Sequence, residues 1–244
     1  MSANREEVAY VNDVVGAINK EYISEVIIKK DTKKIKGVLY IEKFLKRIID
    51  IIGGLVGIIF LIPIMVGIKI ANIIAKDNGP LFYKQKRIGK DGKEFYLYKF
   101  RSMIVNADEV LFEYLAENEE AKKEYDEYKK LKNDPRVTRV GKFIRNTSLD
   151  EFPQFINVLK GDMSLVGPRP YLPREKDSMG IKYDKVILAK PGITGMWQVC
   201  GRSEVTFKER LDMDIEYHYN WSLKTDIKLL LKTVKKVLMR EGAI

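Results

Sequence analysis

The sequence is short of the residues from which many enzyme sites are built. It has a single cysteine, Cys200, and a single histidine, His218, among 244 residues. One thiol excludes an intrachain disulfide and any Cys-cluster zinc site, and it fits a reducing compartment. One imidazole leaves His-based metal triads and Ser-His-Asp catalysis poorly supplied. His218 sits in the run Tyr217 to Trp221 and reads as a packed or surface residue. No secretory leader is expected, because the first residues are polar and the apolar run comes late. There is no recognised nucleic-acid-binding motif, internal repeat or low-complexity tract.

Positive charge is abundant. Lys and Arg number 44 against 34 acids, a net charge of +10. That balance suits anionic lipid, phosphorylated substrates or nucleic acid. The length allows one ordinary domain with appendages. Residues 1–40 are mixed and charged, with a basic run at 29–36. They read as a loosely docked tail, the alternatives being a membrane-surface helix or a homodimer contact.

Ile51 to Ile68 carries no charge. As a helix it would extend about 27 Å, marginal for a bilayer core of about 30 Å. Lys43, Lys46 and Arg47 precede it, and Lys69 and Lys76 follow it. Cations at both ends give a crossing no clear orientation and suit a segment that returns to the face it entered. Pro63 lies deep in the run and predicts a bend, which leaves open a kinked single crossing as well as a returning segment.

Beyond this segment, residues 80–103 read as a β-hairpin about a Gly89-Lys90-Asp91-Gly92 turn. Alternation places Lys99 and Arg101 on one face and Tyr98 and Phe100 on the other. Residues 106–132 read as one charged surface helix with a stripe of Val110, Leu111, Tyr114 and Leu115. Residues 225–240 read as a basic amphipathic helix. Its Ile227, Leu230, Leu231, Val234 and Leu238 would face either the core or a membrane surface. Trp197 reads as core or as an interfacial residue.

The chemistry concentrates between Ile144 and Tyr171. Thr147 or Ser148 can cap a helix, and Ser148-x-x-Glu151 has capping-box spacing. Pro153 is tolerated only in a first turn, so the helix should begin close to Asp150. Two carboxylates, Asp150 and Glu151, then lie at a helix N-terminus, with Arg145 before them and Arg169 after. Carboxylates among arginines suggest a phosphorylated substrate with a divalent cation between like charges. Pro168 and Pro170 fix the backbone around Arg169, which suits bidentate phosphate binding.

This stretch, LDEFPQFINVLKGDMSLVGPRP, resembles the central signature of bacterial monotopic phosphoglycosyl transferases. These are polyprenyl-phosphate sugar-1-phosphate transferases. The resemblance runs from about Lys46 to Ile244, through YKFRSM (98–103), NDPRVTRVGKFIRNTSLDE (133–151) and KPGITGMWQVCGR (190–202). It implies an α+β, predominantly helical fold. A re-entrant membrane helix (41–76), broken at Pro63, would lead into a small cytoplasmic domain (77–244) with a short β-hairpin and C-terminal amphipathic helices. Ile62 stands where the family has Ser before the bend proline.

The resemblance also implies a reaction. Asp150 would be the nucleophile and Glu151 a ligand of Mg²⁺. Lys99, Arg101, Arg145, Pro168, Arg169 and Pro170 would bind substrate. A UDP-sugar, with galactose or glucose favoured by the 106–132 insertion, would pass its sugar phosphate through an aspartyl intermediate to polyprenyl phosphate, releasing UMP. Partners would be the UDP-sugar, polyprenyl phosphate and lipids of a bacterial inner membrane, with no nucleic acid. Two other classes remain open from the residues: a membrane-tethered basic scaffold or nucleic-acid binder, and a metal-dependent phosphohydrolase.

Overall fold

The computed structural model describes residues 32–200 and 205–239. The first element, α1 (Thr32–Ile74), is a helix of 43 residues that continues without interruption through Pro63. Most of the 1–40 extension lies outside the described residues, and its last part, 32–40, belongs to α1. Within Leu39–Ile74 the helix is long and apolar enough to cross a membrane. Only 22% of its most apolar window is buried, so it is not the core helix of a soluble domain. Ile52, Leu55, Ile59, Phe60 and Ile62 face outward, an exposed apolar surface of the kind that meets a membrane or another protein.

Its other face is fastened to the domain. Arg47 donates to the carbonyls of Val158 (2.7 Å) and Leu159 (2.9 Å). Buried Asp50 accepts from the Ser164 hydroxyl and from Leu165 N–H. Gly53, Gly54 and Gly57 let the domain approach, since a Cβ at these positions would collide with Leu165, Leu159 and Phe155 respectively. Further along, Leu61 and Ile68 pack with Phe100 and Ile144 in one apolar cluster.

The expected hairpin is present. β1 (Phe82–Ile88) and β2 (Glu94–Phe100) pair antiparallel from Phe82↔Phe100 to Ile88↔Glu94. Gly92 closes the turn at φ 75°, a conformation that costs glycine little. The charged stretch that follows is two helices rather than one, α2 (Ala107–Glu117) and α3 (Glu119–Tyr128). The break is Asn118, which takes an extended backbone and caps α3 by accepting from Ala121 N–H. Asn is among the best N-caps, and here that preference overrides helix continuity. Leu111, Ala121 and Leu131 form the small core of this insertion.

Then come α4 (Arg139–Asn146), a 3₁₀ turn at Leu149–Glu151, and α5 (Gln154–Lys160). The anticipated capping box at Ser148 does not form. Ser148 is left-handed (φ 56°) and makes no side-chain cap, while Thr147 bonds back to the carbonyls of Phe143 and Ile144. The α-helix therefore starts after Pro153, and the two acids sit in the tighter turn before it. Asn157, fully buried, ties α5 to β2 by bonding Tyr96 O and Tyr98 N.

β3 (Ser164–Val166) follows, then the short helices α6 (Lys176–Met179) and α7 (Tyr183–Val186), then β4 (Gly192–Thr194). β3 and β4 pair in parallel, Ser164↔Gly192 and Val166↔Thr194. α8 (Met196–Cys200), α9 (Phe207–Tyr219) and α10 (Leu223–Met239) complete the order. Thr206 and Glu209 form a reciprocal capping box on α9. α10 packs through Asp226, Leu229 and Thr233, so the stripe of Ile227, Leu231 and Val234 points outward.

Candidate active site

The hairpin and α5 bring Lys99 to the acidic turn. Its ammonium lies 2.8 Å from Glu151 Oε1 and 3.5 Å from Asp150 Oδ2. Asp150 is only 8% exposed. Burial raises its carboxyl above the ordinary range, against the pull of Lys99. For Glu151, burial is the largest influence and opposes the charge, but Lys99, Arg169 and a hydrogen bond from Gln154 together hold the group below its ordinary value. Two neighbouring acids thus have different characters. Glu151 is a settled carboxylate, while Asp150 is the more basic and less solvated of the two.

Arg145, near the end of α4, donates from Nε to the Ser102 hydroxyl at 2.8 Å. Burial lowers its pKa, and the charge of Asp150 is the leading opposing influence. Arg169 stands in the loop after β3, between two buried prolines, Pro168 and Pro170. Its backbone N–H donates to Asp214 (3.2 Å), and the Tyr171 hydroxyl donates to the same oxygen (2.8 Å). Arg87 donates to Pro170 O, which pins the far side of the loop. The positive charge of Arg169 also helps to keep Glu151 ionised.

The structure therefore gathers Lys99, Arg145, Asp150, Glu151 and Arg169 into one charged neighbourhood. Arg101 is placed differently. It is buried, and its guanidinium donates to Asp77, Pro80 O and Met103 O. That makes it a bracket between the end of α1 and the end of β2, with its donors already engaged.

Sequence reasoning missed what lies beyond Arg169. Trp197, expected in the core or at a lipid interface, is not fully buried. It is half-buried, with the Arg210 guanidinium 4.9 Å and the Arg169 guanidinium 5.9 Å from its ring centre. Arg210 and Asp214 stand four apart on α9, a helical spacing that could have flagged them.

The acids fit a hard cation, since they offer adjacent carboxylate oxygens where Lys99 already holds a positive charge. Among the described residues no group of three or more His, Cys, Asp or Glu side chains gathers for a metal. Substrate oxygens and water would have to complete an Mg²⁺ shell, which is usual for that ion.

Comparison with known proteins identifies the family. The profile of the bacterial sugar transferase family matches residues 41–240. A UDP-galactose-lipid carrier transferase of Erwinia amylovora is 48% identical over 202 residues, covering 83% of this chain and 42% of that protein. An undecaprenyl-phosphate galactose phosphotransferase of Salmonella typhimurium is 49% identical with the same coverage. The exopolysaccharide production protein ExoY of Rhizobium meliloti is 39% identical over 201 residues, 81% of this chain and 87% of that protein. The chain thus spans less than half the length of the first two relatives and most of the third. On the match over residues 41–240, the chain belongs to the bacterial sugar transferase family.

Proposed function

We propose that the protein transfers a sugar-1-phosphate from a UDP-sugar to polyprenyl phosphate, releasing UMP, in the first membrane step of polysaccharide synthesis. The observation that carries this reading is the buried Asp150 beside Lys99 and Glu151, with Arg145 and Arg169 around it. The relatives' names point the same way and favour galactose or glucose as the sugar.

In this reaction an Asp150 oxygen attacks the sugar-bearing phosphorus. The bond from that phosphorus to the bridging oxygen breaks, and the bridging oxygen leaves on UMP. The product is an aspartyl-phosphosugar, the expected form of carboxylate nucleophilic catalysis. A phosphate oxygen of the polyprenyl carrier then attacks the same phosphorus, restoring free Asp150 and giving the polyprenyl diphosphate-sugar. UMP leaves as a stable anion, so the near absence of histidine is no obstacle. The hard requirement is to bring a carboxylate up to an anionic phosphate. Lys99, Arg145 and Arg169 meet it by neutralisation and positioning. Glu151, with Asp150 beside it, would hold Mg²⁺, which when bound would supply further neutralisation of the diphosphate.

The membrane placement belongs to the same reading. The domain packs against α1 from Arg47 to beyond Leu61. Lipid therefore cannot surround the 51–68 run on all sides, and in this reading the segment is re-entrant, with both cationic flanks on the cytoplasmic face; because α1 runs on through Pro63 with no break, the return needs the helix itself to bend there. Single cysteines near residues 40 and 78, in a Cys200→Ser background, should both resist an impermeant thiol reagent in intact cells. Labelling near residue 40 would show a full crossing instead.

The central experiment is a UMP-release assay on purified protein with polyprenyl phosphate, Mg²⁺ and a panel of UDP-sugars. Acceptor-dependent UMP release with one or two sugars is the expected result. Release of free sugar phosphate without acceptor would make the protein a phosphohydrolase.

A further inference from the structure

Lys99 stands on β2 and Arg145 on α4, but Arg169 is carried by a loop. What holds that loop decides where its guanidinium stands. Before it, Gly167 N–H donates to Thr194 O at the end of β4 (2.9 Å). After it, Pro170 O accepts from Arg87, and Tyr171 O accepts from Ile88 N–H (2.8 Å), both on β1. At Arg169 itself the partner is Asp214 of α9. One oxygen of that carboxylate takes the Arg169 N–H and the Tyr171 hydroxyl.

Asp214 is fully buried, and these two bonds are the hydrogen bonding its carboxylate does among the described residues. Burial pushes the carboxyl up to about 7, against the pull of the same two bonds. An acid in such a place costs the fold more than an apolar residue of its size would. Its contribution is to the loop, since that is all it bonds. Pro168 and Pro170 restrict the backbone on either side, so the freedom left to Arg169 lies in its side chain.

That side chain has a platform. The Arg169 guanidinium lies over the Trp197 indole of α8, 5.9 Å from the ring centre. A tryptophan face attracts a guanidinium more than other aromatic rings do. α8 packs on α9, partly through the Arg210 guanidinium, 4.9 Å from the same ring. The backbone and the head of Arg169 are therefore held by one helix pair. We propose that Asp214 and Trp197 are positioning residues for Arg169, Asp214 setting the place of its backbone and Trp197 the direction of its guanidinium. The inference rests on the transferase reading, in which Arg169 binds the phosphates of the sugar donor. Both residues act through Arg169 and have no contact of their own with the donor in this view.

The test is a double-mutant cycle on the full chain in detergent, read as kcat/KM for UDP-galactose or UDP-glucose, whichever turns over, with polyprenyl phosphate as acceptor. Asp214→Ala removes the acceptor oxygen and should lower kcat/KM by about tenfold. Trp197→Leu should lower it by about threefold. Asp214→Asn keeps an oxygen in the same place and should recover most of the first loss. In an Arg169→Gln background, either change should cost less than about a further twofold. Losses that multiply in full would show support of the fold at large and overturn the proposal, as would unchanged kcat/KM in a folded Asp214→Ala. If Asp214→Ala does not fold, Asp214→Leu, which fills the space without an acceptor, takes its place, and Trp197→Leu decides by the same cycle. Amide hydrogen exchange separates this inference from the transferase reading. Peptides covering residues 167–171 should exchange faster in Asp214→Ala and as wild type in Arg169→Gln. That pattern in a protein that transfers nothing would sink the transferase reading and keep the hold of Asp214 on Arg169. Transfer by wild type, with exchange at 167–171 unchanged in Asp214→Ala, would do the reverse.

Discussion

On one side of Arg169, Lys99 lies against Glu151 and Asp150, and every formal charge there has an opposite neighbour. On the other side, Arg210 and Trp197 hold buried donors, and Asp214 and Gln198 hold buried acceptors, that make no hydrogen bond. The first neighbourhood is internally satisfied, so it must exchange partners when substrate arrives. The second carries unpaired donors and unpaired acceptors side by side.

The comparison breaks first at Asp150. Asp150→Asn keeps the shape and removes the carboxylate proposed as nucleophile, so transfer should fall by several orders of magnitude while the melting curve stays cooperative. Near-normal turnover in that variant would remove the chemical role from the satisfied side altogether. Chelation is next in size. EDTA should reduce transfer to background and Mg²⁺ restore it, and activity that survives thorough chelation would leave Lys99 as the sole cation between the acids.

Lys99→Gln is a finer cut. Lys99 is the leading influence that lowers Asp150 against its burial, so its removal should raise that carboxyl further. The acidic limb of the rate profile should move to higher pH, with a loss of about tenfold near neutrality. A loss of rate with no movement of the limb would mean that Lys99 serves substrate alone.

The smallest effect belongs to Asp214 on the unsatisfied side. Its native pKa, about 7, lies above the ordinary 3.8. The folded protein therefore binds the proton more tightly, and that contribution is complete below about 4 and lost as pH rises through about 7. Wild type should lose melting temperature across that window, and Asp214→Asn should lose less. Parallel curves for the two proteins would show that Asp214 stays ionised throughout.

How legible the molecule was depended on whether a local rule faced competition. The hairpin was readable because alternation and a Gly-rich turn agree over its whole length. Asp150 and Glu151 were readable as a pair from the LDE motif, and Pro153 correctly limited where a helix could begin. The capping box was misread because Thr147 already closes α4, which forces Ser148 into a left-handed bend. The split at Asn118 was written as Asn-Glu-Glu, a start signal hidden inside a continuous charged pattern. β3 and β4 are three residues each and too short to alternate. Arg101 and Arg169 look alike in sequence, and only tertiary partners separate the buried bracket from the loop arginine. Trp197 with Arg210, like Arg47 with Val158, joins segments far apart in the chain, and no local pattern records such pairings.

Arg47 and Asp50 have a practical consequence for anyone wishing to make the protein water-soluble. The usual remedy is to cut away the apolar segment and keep the rest. Here that cut would strip the last carbonyls of α5 of their guanidinium and remove the acceptor of Ser164 and Leu165. It would also uncover Leu159 and Phe155, which fill the space beside Gly54 and Gly57. The strand that loses its support is the one that leads directly to Arg169. Solubility must therefore be engineered on the outward residues of α1, such as Ile52, Leu55 and Ile59, leaving its inner face in place.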